Sequence, residues 1–362
     1  MRVPLYSIHV EEEGRRLVQE AIASGALRQG KTTETFEKEF CAVFGAPHSI
    51  AVSSGTAALH LACLALFEPG DEVLVPTFSF FATASAVALA GCVPVFCDIE
   101  PDHLGIDLSD AEKRVTPKTK GMIPVHLFGV PLDCDALHAF AAGHGLRVVH
   151  DACQSHGAEW KGGNLAALGA CTCYSFYPTK NLFTGEGGMI TTTDAALAER
   201  LGRLRNHGMS AAYNHEELGL NYRMTDLEAS IGLGQLHVFP RQLKRRRENY
   251  ARIMEGVGTL PGVRWQKVPS GGTPGPSLLT GVLAPGIDRQ AFQGKLSSAG
   301  VDSGVYYPRC LHQQPLFART QPGVSCPRAE SICPSVVSLP THHALSPEQI
   351  AHLAATVREA LA

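Results

Sequence analysis

The chain has 362 residues, 44% hydrophobic and 18% charged, enough apolar material for a large core and about two domains. Lys plus Arg number 31 against 34 for Asp plus Glu, a net of -3, which excludes an overall field pulling the chain toward nucleic acid or a membrane surface. The opening residues hold no apolar core of signal-peptide length, and no segment approaches the ~18 apolar residues of a membrane span, so a cytoplasmic protein is expected. The 11 cysteines are scattered without a C-x-x-C pair, which points to reduced, buried thiols and away from a disulfide framework or a zinc site.

In chain order, "SIAVS" leads through Gly55 into a helical run opening at Thr56. Backbone amides at such a helix start bind anions, a phosphate above all, although an ordinary Ser or Thr cap explains the segment as well when it is taken alone. Short apolar runs then alternate with helical patterns: "EVLVP", "VPVFCDI", "GMIPVHLFG", "LRVVHDA", "ACTCYSF" and "GGMITTT". Between them stand segments such as "DCDALHAFAAGHG", with acidic residues near Asp133 and a stop at Gly143 or Gly145. This is the pattern of an α/β fold with a mostly parallel central sheet covered on both faces, whose sites gather at the carboxyl ends of strands.

Asp151 in "VVHDACQSHGA" sits at such an end, where a desolvated carboxylate needs a cationic partner. Capping of a following helix is the equal alternative. Gln154 follows within a turn. Lys180 in "YSFYPTKNL" follows a strand and precedes the glycine-rich "TGEGGMI". A surface lysine is the plain explanation, but apolar and glycine neighbours favour a partly buried amine of lowered pKa, the kind that forms Schiff bases. A phosphate cradle, an acid at a strand end and a later lysine are together what pyridoxal 5'-phosphate (PLP) requires.

A long helical pattern begins near Thr225, and Pro240 is expected to kink or interrupt it. The boundary is set near Phe239, giving a large domain over 1–238 and a smaller C-terminal α+β domain over 239–362. The basic run "LKRRRENY" is expected to be a solvated helix face. His342 and His343 have no third ligand at metal spacing, so no metal is expected.

The ordered motifs "GKTTETFEKEF", "SSGTAALHLA", "GDEVLVPTFSFFATASAV", "PVHLFG", "HDACQSHGA", "SFYPTKNL", "TGEGGMI", "LGLNYRMTDLEASIGLGQL" and "VSLPTHHALSPEQI" make the whole chain resemble the DegT/DnrJ/EryC1/StrS aminotransferases, PLP enzymes of fold type I. The resemblance implies that Lys180 bonds the cofactor aldehyde and shuttles the proton. It implies that Asp151 pairs with the pyridine nitrogen and that Gln154 bonds the phenolic oxygen. Gly55, Thr56 and the Ser175 hydroxyl are to hold the phosphate. Phe80 is to stack on the ring, with Phe78 and Phe81 in the core. Asn221 is to reach the phosphate of a neighbouring subunit in a homodimer. Arg223 is a candidate for the donor's carboxylate, a salt bridge to Asp226 or Glu228 being nearly as well supported.

Cys153 stands where the family usually has alanine, and in "VYYPRCLHQQPLF" Tyr306 and Arg309 depart from its pattern while His312 keeps it. These residues are expected to shape the acceptor pocket. The implied activity is amino transfer from an amino acid, in the family usually L-glutamate, to a nucleotide-linked keto-deoxysugar. A keto-cyclitol acceptor and a non-catalytic regulator are the alternatives. Lys180 speaks against the family's dehydratase branch, which has histidine there.

Overall fold

The computed structural model describes residues 1–362. Each apolar run supplies one strand of a seven-stranded sheet. These are β1 (His48–Val52), β2 (Glu72–Pro76), β3 (Val93–Cys97), β4 (Thr119–Met122), β5 (Arg147–Asp151), β6 (Cys171–Ser175) and β7 (Gly188–Thr192). Their order across the sheet is β1-β7-β6-β5-β4-β2-β3. From β3 to β6 all neighbours are parallel, while β7 runs antiparallel to both β1 and β6. The reason is local: a parallel neighbour needs a crossover, usually helical, and the link 176–187 carries no helix. Because β3 lies on one side of β2 and β4 on the other, the loops after β2 and β4 diverge and open a crevice at the carboxyl edge.

Helices cover both faces. On one, α3 (Gly55–Leu66) and α4 (Phe81–Leu89) bury Leu59, Leu61 and Val87 against Val75 and Val149. On the other, Phe36, Phe40 and Phe44 from a single helix, α2 (Lys31–Phe44), pack against Tyr174, Phe176 and Phe239. Their one-turn spacing along α2 sets three rings in a row, with Phe40 and Phe44 stacked at 4.0 Å. Further along the chain, α5 (Cys134–His144) ends at Gly145, whose φ of 64° is the left-handed conformation that glycine adopts freely.

The expected interruption at Pro240 does not occur. A single helix, α6, runs from Asp226 to Val257, opened by a Thr225–Glu228 capping box. Proline removes one rung of the ladder, and packing on both sides of it carries the helix through: Leu233, Leu236, Phe239 and Leu243 lie in the aromatic core. Its last turns carry Ile253 and Val257 into a separate core around a small antiparallel sheet. That sheet has the order β8 (Val263–Trp265), β9 (Leu278–Leu283), β10 (Val336–Pro340), and Val3 joins its core through a bridge to Val301. The basic run on α6 departs from expectation too: Arg247 donates to Gly157 O and Glu159, and Arg246 is buried. No helix is long and apolar enough to cross a membrane.

Candidate active site

The carboxyl ends of β2, β5 and β6 open on one cavity of about 570 Å³, in which Gly55, Thr56, Phe80, Asp151, Gln154, Ser175 and Lys180 meet. Lys180 lies one turn beyond β6, its amide bonded to Tyr177 O at 2.9 Å. Its amine makes no hydrogen bond or ion pair, and desolvation lowers its pKa while Cys153 and Asp151 pull the other way. Asp151 closes β5 and is 4% exposed. Its Oδ2 accepts from Thr83 Oγ1 at 2.9 Å and its Oδ1 from the Cys153 amide at 3.1 Å. Burial raises its pKa, with these bonds and Lys180 acting against the rise. No cation pairs with it directly. The site therefore holds an acid and an amine that are each desolvated and each without an ion-pair partner.

Ser54 caps α3, accepting from the Ala57 amide at 3.0 Å, so the helix begins at Gly55. The cap and the anion site coexist, because the first amides of a helix have no intrahelical partner. A Cβ at Gly55 would lie 2.6 Å from Ser175 Cβ, so only glycine lets this helix start rest on the end of β6. Phe80 is 56% exposed toward the cavity, whereas Phe78 is fully buried. Gln154 Oε1 accepts from the Phe128 amide at 3.0 Å, which fixes the amide so that Nε2 is the donor, here to Tyr307 Oη at 2.8 Å. Tyr6 donates to Tyr306 Oη at 2.7 Å across the same cavity.

Four expected residues lie elsewhere in the single chain. Arg309 is exposed and off the cavity. His312 corrects the expectation: it is 5% exposed and both nitrogens are engaged, Nδ1 with Thr77 Oγ1 at 2.6 Å and Nε2 with Glu330 at 3.1 Å, so it locks the strap after Tyr307 instead of facing a ligand. Asn221 pairs with Asn206, and Arg223 donates to Asn206 Oδ1 at 2.6 Å beside a hollow that also holds Arg28, Arg205 and His207. Neither alternative partner of Arg223 is engaged with it. Asp226 accepts from Gly30 and Thr33, and Glu228 closes the capping box.

Sequence reasoning passed over Tyr6, Thr83 and Tyr307. Thr83, three residues after Phe80 on the first turn of α4, is recoverable from helical spacing, but Tyr6 and Tyr307 come from opposite ends of the chain and leave no local signal.

Behind β5 lies an unexpected histidine cluster. The Leu132 amide donates to His126 Nδ1 at 3.0 Å, so a neutral His126 carries its proton on Nε2 and donates to His150 Nδ1 at 2.9 Å. His150 in turn donates from Nε2 to His138 Nε2 at 2.9 Å. Burial pushes His126 down to about 3 and His150 well below its ordinary range, so both rings are neutral. Cys134 Sγ lies within 4.8 Å of His126 and His150, a ligand set in type. Yet the bond order leaves His126 no free lone pair, and the cluster ties β5 to α5 as a hydrogen-bond relay.

Residues 9–358 match the DegT/DnrJ/EryC1/StrS aminotransferase family. The chain is 39% identical over 92% of its length to the UDP-N-acetyl-3-dehydro-alpha-D-glucosamine 3-aminotransferase of Acidithiobacillus ferrooxidans, covering 89% of that protein. To the dTDP-3-amino-3,4,6-trideoxy-alpha-D-glucose transaminase of Streptomyces venezuelae it is 37% identical, with 99% of this chain and 96% of that one aligned. The crystal structure of S. venezuelae DesV with a ketimine intermediate superposes with a TM-score of 0.91 at 36% identity, covering 96% of this chain and 94% of that one. The chain belongs to the DegT/DnrJ/EryC1/StrS aminotransferase family.

Proposed function

We propose that this protein is a PLP-dependent aminotransferase moving an amino group from an amino acid, L-glutamate by family resemblance, to a keto group of a nucleotide-linked deoxysugar for amino-sugar biosynthesis. The observation that carries the proposal is the meeting, in one cavity, of an unpaired amine at Lys180, a buried carboxylate at Asp151 without a cation, and a helix start at Gly55 that any larger residue would displace. These features fit PLP: an amine for its aldehyde, an anion for its ring nitrogen, and amides for its phosphate. Bound there, the cofactor supplies an aldehyde that carries the amino group and a ring that draws electrons from the substrate's α-carbon.

The chain's own residues do the rest. Lys180 would hold the cofactor through Nζ and, once freed by the donor, would serve as the base for the donor's α-proton and as the acid that protonates the acceptor carbon; burial, which lowers the pKa of its amine, favours that role. Asp151 would keep the ring nitrogen protonated, its carboxylate held in place by Thr83 and the Cys153 amide. Gly55, Thr56 and Ser175 would bind the phosphate, Phe80 would pack against the ring, and Gln154 Nε2, which now donates to Tyr307, would be the donor to the phenolic oxygen. Tyr306 and Tyr6 form the acceptor side of the pocket.

Asn221 and Arg223 lie outside this cavity, so we assign them to the active site of a second copy in a cytoplasmic homodimer, Asn221 to its phosphate and Arg223 to the donor's carboxylate. The test is amino transfer from L-glutamate to UDP- and dTDP-linked keto-sugars. A product amino sugar supports the assignment. Transfer to a keto-cyclitol alone would replace the acceptor, and no transfer with any acceptor would overturn the reading.

A further inference from the structure

The loop joining β2 to α4 is buried except at one residue. Thr77, Phe78 and Ser79 are at most 2% exposed, while Phe80 turns out into the cavity. Thr77 holds the loop on one side, its amide donating to Cys97 O at 2.9 Å and its carbonyl accepting from the Leu311 amide at 2.7 Å. On the other side, Ser79 Oγ lies 2.8 Å from Thr83 Oγ1, and Thr83 Oγ1 donates to Asp151 Oδ2 at 2.9 Å. Ser79, Thr83 and Asp151 are all buried.

The direction of this chain follows from what each group can give. An ionised carboxylate only accepts, and Thr83 has a single hydroxyl proton, which goes to Oδ2. Ser79 is therefore the donor in its bond with Thr83, and the order runs from Ser79 through Thr83 to Asp151. Helix starts usually employ such hydroxyls as caps. Here α4 begins at Phe81 with Phe80 in the cap position and no side-chain cap, so two hydroxyls at a helix start are turned to the acid instead. A buried carboxylate without a cation keeps its charge only if donors face it. Thr83 supplies one and the Cys153 amide another.

We propose that Ser79 is a positioning residue for the acid: it orients the Thr83 hydroxyl and strengthens its bond to Asp151, so that the carboxylate stays ionised against a protonated ring nitrogen. The inference rests on the reading of the cavity as a PLP site. Hydrogen bonds in series polarise one another, so a donor to Thr83 makes Thr83 the better donor. The same bond anchors the residue next to Phe80. One pair of hydroxyls thus sets both the loop that packs on the ring and the acid that faces its nitrogen.

The test uses protein loaded with PLP that carries an NMR-active isotope at the ring nitrogen. Without its donor the carboxylate is more basic and draws the shared proton away from the ring. The nitrogen resonance is therefore expected to move toward that of unprotonated PLP in Thr83→Val, and part of the way in Ser79→Ala. With KM little changed, kcat is expected to fall by about 10- to 150-fold in Thr83→Val, as for a hydrogen bond to a charged group, and by about 2- to 10-fold in Ser79→Ala, as for one between neutral groups. Thr83→Ser, which keeps the hydroxyl, should recover most of what Thr83→Val loses. The serial order gives the sharper check: with Thr83→Val already in place, Ser79→Ala should add no further loss. Losses that multiply in the double variant would overturn the proposal, as would a Ser79→Ala protein with a lowered melting temperature but an unmoved nitrogen resonance. Wild-type protein that takes up no PLP would instead overturn the reading of the cavity, and this proposal with it.

Discussion

Substituting Gly55 by alanine tests the cofactor cradle more sharply than removing a polar contact would. The added Cβ falls 2.6 Å from Ser175 Cβ, 3.1 Å from Ser175 Cα and 3.1 Å from Cys153 Sγ. Carbon atoms in contact settle at about 3.5–4.0 Å, so α3 and β6 must separate by about 1 Å. Overpacking of this kind costs about 1–3 kcal/mol. If the helix start yields, its amides leave the phosphate, and that energy corresponds to cofactor binding weaker by about 5- to 160-fold. Titrating PLP into apoprotein, followed by its absorbance, reads the change. The partner substitutions identify the cause: Ser175→Ala keeps the clashing carbon and should leave the Gly55→Ala penalty intact, whereas Ser175→Gly removes it and should relieve most of the penalty. Wild-type affinity in Gly55→Ala, or the same penalty in both Ser175 backgrounds, would refute the reasoning.

Lys180→Ala should abolish amino transfer in a steady-state assay, and retained activity would remove the lysine from its role. Mixing inactive Lys180→Ala and Asn221→Ala chains under exchange should restore about a quarter of wild-type sites, because half the dimers are mixed and each of these has one intact site; no recovery would place Asn221 outside a shared site. Burial holds His126 and His156 near 3 and His342 and His343 near 4. The unfolded chain takes up these protons near pH 6.5 and the folded chain does not. Stability should therefore fall by about 1.4 kcal/mol per pH unit per histidine between pH 6.5 and about 4. A flat denaturation midpoint across that window would contradict their burial. His237 behaves in the opposite sense: Glu13 at 2.8 Å and Glu39 at 2.6 Å raise its pKa, so its contribution is full below pH ~6.5 and is lost as the pH rises through the raised value. The difference in melting temperature between wild type and His237→Gln should shrink above neutrality.

The strands were legible because a parallel sheet buried on both faces writes itself as continuous Val, Ile and Phe runs. The antiparallel β7 was not, since strand direction depends on what the link 176–187 lacks and its apolar run looks like the others. The continuity of α6 through Pro240 was not legible because propensity is local while the packing of Phe239 and Leu243 is not. In the site, Asp151, Gln154 and Lys180 announce themselves by position at strand ends, and Gly55 by the helix it opens. Tyr6 and Tyr307 are brought there by the small sheet and the chain's first residues, a placement that no local pattern encodes. The burial of Arg246 is hidden for the same reason: the four cations of "LKRRRENY" cannot be told apart until the helix has neighbours, and then one of them is buried.

The central claim is that Lys180 holds PLP in a cavity competent to accept an amino group. The direct measurement is the absorption spectrum of the purified protein with PLP before and after L-glutamate, with borohydride reduction and peptide mass analysis to locate the linkage. The account predicts a yellow protein whose visible band fades with glutamate as 2-oxoglutarate appears, and a cofactor mass fixed to Lys180. A colourless protein with no modified lysine would contradict it.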